Sequence, residues 1–116
     1  MTTHFEERFA YHPDDFKSYD TERIRKEFLV EKLMEPDQVH LVYTHIERYI
    51  VGGAVPVNKI LKLEAVAALK ANYFCERREV GIINVGGAGV VTADDHTYAL
   101  DLNAKIVVDN TASPSF

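Results

Sequence analysis

Glu76 to Val91 reads ERREVGIINVGGAGVV, and the fold turns on whether its glycines cradle a phosphate or only reverse a strand. Gly86, Gly87 and Gly89 follow an apolar run, the usual setting of a nucleotide loop. A P-loop needs Lys-Ser/Thr after the glycines and then a helix, whose N-terminus receives the anion. A dinucleotide fingerprint needs G-x-G-x-x-G opening a helix inside a βαβ unit. Here Gly89 is followed by VVTADD, a strand and then a turn. The expectation is therefore a tight hairpin in which glycine supplies positive φ, and no nucleotide site.

Outward from that loop the chain reads as strands. YFCERREVGIINV reads as one long strand, followed by GVVTA, TYALDL and AKIVV, with ADDH joining two of them. On the N-terminal side, NKILKLE (Asn58 to Glu64) reads as a strand, and AVAALKA fits a helical turn or a loop. VHLVYTHIERYIVGGAV alternates Val39, Leu41 and Tyr43 against His40, Val42 and Thr44; Gly52-Gly53 closes that run and Pro56 ends it. Asp20 or Thr21 can cap a short helix from about 21 to 28, with Ile24 and Phe28 on one face, and Pro36 breaks the chain after it. Residues 1 to 19 are polar. Their aromatics, Phe5, Phe9, Tyr11 and Phe16, are those of an arm that lies against something. Many short strands with glycine-rich turns predict a mainly all-β sandwich or barrel with an N-terminal arm and one short helix.

Bulk properties narrow the function classes. The 116 residues suffice for one domain, and 47% hydrophobic with 27% charged residues is ordinary for a globular protein. The net charge of -5 gives no electrostatic reason to bind nucleic acid or an anionic membrane. The single cysteine, Cys75, excludes an internal disulfide and fits a reducing compartment. The start MTTHFEERFA is not a signal peptide, and no stretch approaches a membrane span. The expectation is a cytoplasmic domain.

Three groups could carry chemistry. Glu76, Arg77, Arg78 and Glu79 would alternate faces of the long strand. One pair then forms an ion pair, or Arg77 or Arg78 binds a carboxylate through its planar fork. The histidines are His4, His12, His40, His45 and His96, and no H-x-H occurs. His40 and His45, five apart on one strand, would point to opposite faces. A metal site is expected to be absent from this chain; the competing reading is a metal-dependent enzyme using His40, His45 or His96. Cys75 reads as a small packing residue in a strand.

KSYDTERIRKEFLVEKL, VYTHIERYIVGGAVPV, YFCERREVGIINVGGAGVV and YALD occur in this order. They resemble the N-terminal half of the 5-dehydro-4-deoxy-D-glucuronate isomerases, also called 4-deoxy-L-threo-5-hexosulose-uronate ketol-isomerases, from about Tyr11 to Leu102. The resemblance implies a cupin-like β-barrel or jelly-roll half. Residues 1–19 would be the arm and 20–116 a first, incomplete barrel, with the second, metal-binding barrel absent. It implies an aldose–ketose isomerase of pectin and hexuronate breakdown. The reaction interconverts 5-dehydro-4-deoxy-D-glucuronate and 3-deoxy-D-glycero-2,5-hexodiulosonate. It implies a uronate substrate, a zinc ion held in the second barrel by residues beyond this chain, and a homo-oligomer, taken as a hexamer. No histidine here matches a family ligand position, no catalytic base is assigned, and the tail from Asn103 departs from the family pattern. The expectation is an N-terminal fragment inactive alone. The alternative is a non-catalytic half-cupin binding a sugar acid or a protein partner.

Overall fold

The computed structural model describes residues 3–109 and 114–116. Seven strands and one α-helix make up its regular structure, with a 3-10 turn at Phe16–Ser18 and another at Ala67–Leu69. This is consistent with the all-β, cupin-like class read from the sequence. The chain divides into two compact units, Met1–Val55 and Pro56–Phe116.

In the first unit, β1 (Thr3–Arg8), β2 (Val39–Thr44) and β3 (Ile50–Ala54) form a sheet in the order β1-β2-β3. β2 carries the β-branched and aromatic run, and its first four residues, Val39 to Val42, are all buried. Both faces of the central strand are therefore covered. β1 runs parallel to β2, from Thr3 opposite Val39 to Arg8 opposite Thr44. A parallel pair needs a long crossover. Residues 9–38 supply it, and they include α1 (Thr21–Phe28). Asp20 caps α1 by accepting a hydrogen bond from the Arg23 amide at 2.8 Å. No residue of α1 is buried. Aromatic contacts tether the helix instead: Tyr11 meets Phe28 edge-on at 5.2 Å, and the Arg23 guanidinium lies 3.9 Å above the Tyr19 ring. The polar arm thus lies against β2 through β1 and against α1 through its rings.

One expectation for this unit fails. Gly52 and Gly53 do not close the run; they sit inside β3, opposite Leu41 and His40. A Cβ on Gly53 would stand 2.5 Å from the Leu33 carbonyl oxygen and 2.9 Å from Met34 Sδ. Glycine here admits a neighbouring backbone against the strand, one of the uses of glycine within a sheet.

In the second unit, β4 (Glu79–Ile83) pairs antiparallel with β7 (Lys105–Asp109), and β5 (Gly89–Ala93) with β6 (His96–Leu100). The β5–β6 hairpin turns at Asp94-Asp95, with Asp94 at φ 52°, as the ADDH reading required. The strand expected over Asn58 to Glu64 is not formed. Lys62 makes a single bridge, to Ser115, and the Leu61 and Phe116 amides donate to each other's carbonyl oxygens at 3.0 and 2.7 Å. Ser115 also pairs with Thr92. Pro114–Phe116 is therefore the strip between residues 61–63 and β5. Leu61, Leu63, Phe74, Cys75, Val91, Ala93, Leu100, Val108 and Pro114 are the buried side chains of this unit among the described residues.

The long strand expected over YFCERREVGIINV shrinks to Glu79–Ile83. Phe74 and Cys75 are adjacent and both buried, which breaks the alternation, and the Glu76 amide donates to the Tyr73 carbonyl at 3.2 Å. Cys75 is the packing residue the sequence indicated, but in a turn rather than a strand.

Candidate functional site

The glycine loop is built by an asparagine. Asn84 Oδ1 accepts from the Gly86 amide at 2.9 Å, while Asn84 Nδ2 donates to the carbonyls of Gly87 at 2.9 Å and Leu100 at 2.8 Å. Its backbone donates to Ala104 and accepts from Asn103, extending the β4–β7 ladder by one step. No glycine has positive φ. β4 and β5 also belong to different sheets. The expected hairpin is therefore corrected: Asn84 to Ala88 is a crossing loop between two ladders. β5 begins at Gly89, so the glycines lead into a strand and not into a helix.

The charge run also differs from its expectation. Residues 76–78 lie before β4, in the turn, so they do not alternate across a strand. The Glu76 carboxylate accepts from the Asn72 amide at 2.7 Å and from Asn72 Nδ2 at 3.3 Å. Arg77 Nη2 donates to the Lys70 carbonyl at 2.6 Å, where Lys70 takes the left-handed conformation at φ 49°. These two side chains replace the ladder that a strand would have provided. Arg77 is exposed and Arg78 half-buried. The structure keeps both arginines at one turn beside the start of β4, with the Arg77 guanidinium oriented by a backbone carbonyl.

The histidines are gathered in a way that the sequence did not reveal. The β1–β2 register sets His4 directly beside His40, ring centroids 4.9 Å apart, and buried His40 Nε2 lies 3.2 Å from Glu35 Oε2. On the other face, one alternation step beyond the strands, His45 Nε2 lies 3.0 Å from Glu7 Oε2. The His45 ring is stacked on Phe9 at 4.5 Å and tilted against Tyr43 at 4.8 Å. His40 and His45 do serve opposite faces, although His45 itself lies just outside β2. His96 is on β6, 6.4 Å from the Tyr98 ring. Among the described residues, no three His, Cys, Asp or Glu side chains come together in a group able to hold a metal ion. The signal that could have found these pairs is the matching of HFEERF with HLVYTH, which only a parallel register makes visible.

Geometry alone thus offers two hydrogen-bonded imidazole–carboxylate pairs and an oriented arginine turn. Comparison with known proteins supplies the context. Over 101 residues, 87% of this chain, it is 55% identical to the 4-deoxy-L-threo-5-hexosulose-uronate ketol-isomerase of Bacteroides fragilis, covering 36% of that protein. The protein of the same name from Formosa agariphila is 50% identical over 108 residues, 93% of this chain and 39% of its own length. That of Caldicellulosiruptor bescii is 53% identical over 96 residues, 83% and 35% respectively. The chain is similar to about a third of each of these ketol-isomerases. No family model matches it.

Proposed function

We propose that the chain serves as one portion of a ketol-isomerase that interconverts 5-dehydro-4-deoxy-D-glucuronate and 3-deoxy-D-glycero-2,5-hexodiulosonate. The observation that carries this reading is identity of 50–55% over most of the chain with relatives bearing that name. The reading brings with it an aldose–ketose isomerisation of a uronate in pectin and hexuronate breakdown, a cytoplasmic setting and a homo-oligomeric, hexameric assembly. No helix of the described residues is long and apolar enough to cross a membrane. Residues 20–116 would then form the first cupin-like barrel and residues 1–19 its arm.

A bound zinc would polarise the substrate carbonyl and its neighbouring hydroxyl. The described residues of this chain do not fit a zinc ligand set, since no three suitable side chains meet. No step is therefore assigned to a metal within it, and the chain alone is proposed to be inactive. What it can supply is a cation for the substrate carboxylate. Arg77, its guanidinium held by Lys70, and Arg78 beside it are the residues proposed for that contact.

A chimera tests this directly. The matching third of the Bacteroides fragilis ketol-isomerase is replaced by this chain, and isomerisation is followed. Retained turnover is expected. A folded chimera without activity would overturn the assignment. In the active chimera, Arg77→Ala should raise KM roughly tenfold with kcat little changed, the cost of one charge-assisted contact.

A further inference from the structure

Three side chains of the first unit line up on one face of its sheet. The β1–β2 and β2–β3 registers set His4, His40 and Gly53 in a row across the three strands. Gly53 brings no side chain to that row, and Met34 brings one in its place. Met34 Sδ lies 2.9 Å from where a Cβ of Gly53 would stand, so a thioether fills the position beside His40. On the other side of His40 stands His4, its ring centroid 4.9 Å away. With metal–nitrogen bonds of about 2 Å, two imidazoles on one ion keep their ring centres about 5 Å apart. His40 Nε2 is engaged by Glu35 Oε2 at 3.2 Å, and its Nδ1 has no hydrogen bond among the described residues. His4 Nε2 has only a 3.9 Å approach to Glu6 Oε1. An imidazole steadied by a carboxylate on one nitrogen and free on the other is the usual state of a ligating histidine.

Hard cations take oxygen ligands, and zinc sites draw on thiolate, imidazole and carboxylate. Cuprous ion accepts thioether and imidazole together. We infer that Met34 Sδ, His40 Nδ1 and an imidazole nitrogen of His4 hold one cuprous ion, with Glu35 orienting the His40 ring. The third ligand is a sulfur, in keeping with the lack of a three-membered His, Cys, Asp or Glu group among the described residues. The inference does not depend on the isomerase reading.

The test is made on the protein as its native host makes it, whatever its length, with each variant compared in that same protein. Cuprous copper is supplied under reductant and without oxygen, in competition with bicinchoninate, and bound copper is counted per chain. The parent should bind one equivalent more than Met34→Leu and one more than His4→Asn. Both positions are exposed, so the circular dichroism spectrum should stay unchanged. Glu35→Gln should weaken that equivalent roughly tenfold. Zinc uptake should be equal in the parent and in Met34→Leu. Equal copper in the parent and both ligand variants, or a loss in Met34→Leu that zinc shares, would overturn the site.

Discussion

The strand at Val39–Thr44 and the run from Tyr73 to Val85 read alike as sequence, both apolar, β-branched and aromatic, yet only the first becomes the strand it promises. β2 has a partner on each side, and its residues from Val39 to Val42 are buried on both faces. The second run has a ladder for five residues only. Its leading half is taken by a turn because Glu76 and Arg77 can satisfy backbone groups locally. The difference teaches that a strand needs partners as well as propensity. Where side chains can serve the backbone more cheaply, they win.

The most severe way to probe the weaker region is through its core. Leu61 is fully buried, although its segment has only bridge pairing. Leu61→Ala should cost about 3 kcal/mol in chemical denaturation, the usual scale of a buried leucine truncation. A loss under about 1 kcal/mol would mean that the second unit is not organised around that side chain. The glycines sharpen the contrast between the units. Gly53→Ala would force a Cβ against the Leu33 carbonyl and should cost about 2 kcal/mol. Gly87→Ala meets open space at ordinary φ and should lie within about 0.5 kcal/mol of the parent.

Asn84 is the next point of attack. Asn84→Ala removes three hydrogen bonds and should cost about 2 kcal/mol. Asn84→Asp keeps the acceptor for Gly86 but loses both donations and should recover less than half of that. Equal stability of the two variants would contradict the role given to the side-chain amide. A small effect is also expected at the exposed pair. His45→Gln should cost under about 1 kcal/mol, because the Glu7 contact is partly solvated.

Much of the fold was legible. The helix at Thr21–Phe28 follows from its cap and its stop, β2 from its alternation, and the β5–β6 turn from Asp94-Asp95. Three features were not legible, and each depends on residues distant in sequence. Gly52-Gly53 looked like a terminator because nothing local shows that Leu33 and Met34 pack against Gly53. GGAG looked like a hairpin because Asn84, which holds the loop, finds Leu100 sixteen residues away. The histidines looked isolated because His4 meets His40 only through a parallel register across a thirty-residue crossover. The arginine turn was half legible: the residues were singled out, but their setting was misread as a strand.

The central claim is that this chain works as one portion of a longer ketol-isomerase. The intact mass of the protein as its native host makes it tests that claim most directly. The account predicts a mass well above the 13.1 kDa of these 116 residues, in a species that carries isomerase activity. A native species of 13.1 kDa would contradict it, and the chain would then have to be understood as a binding module in its own right.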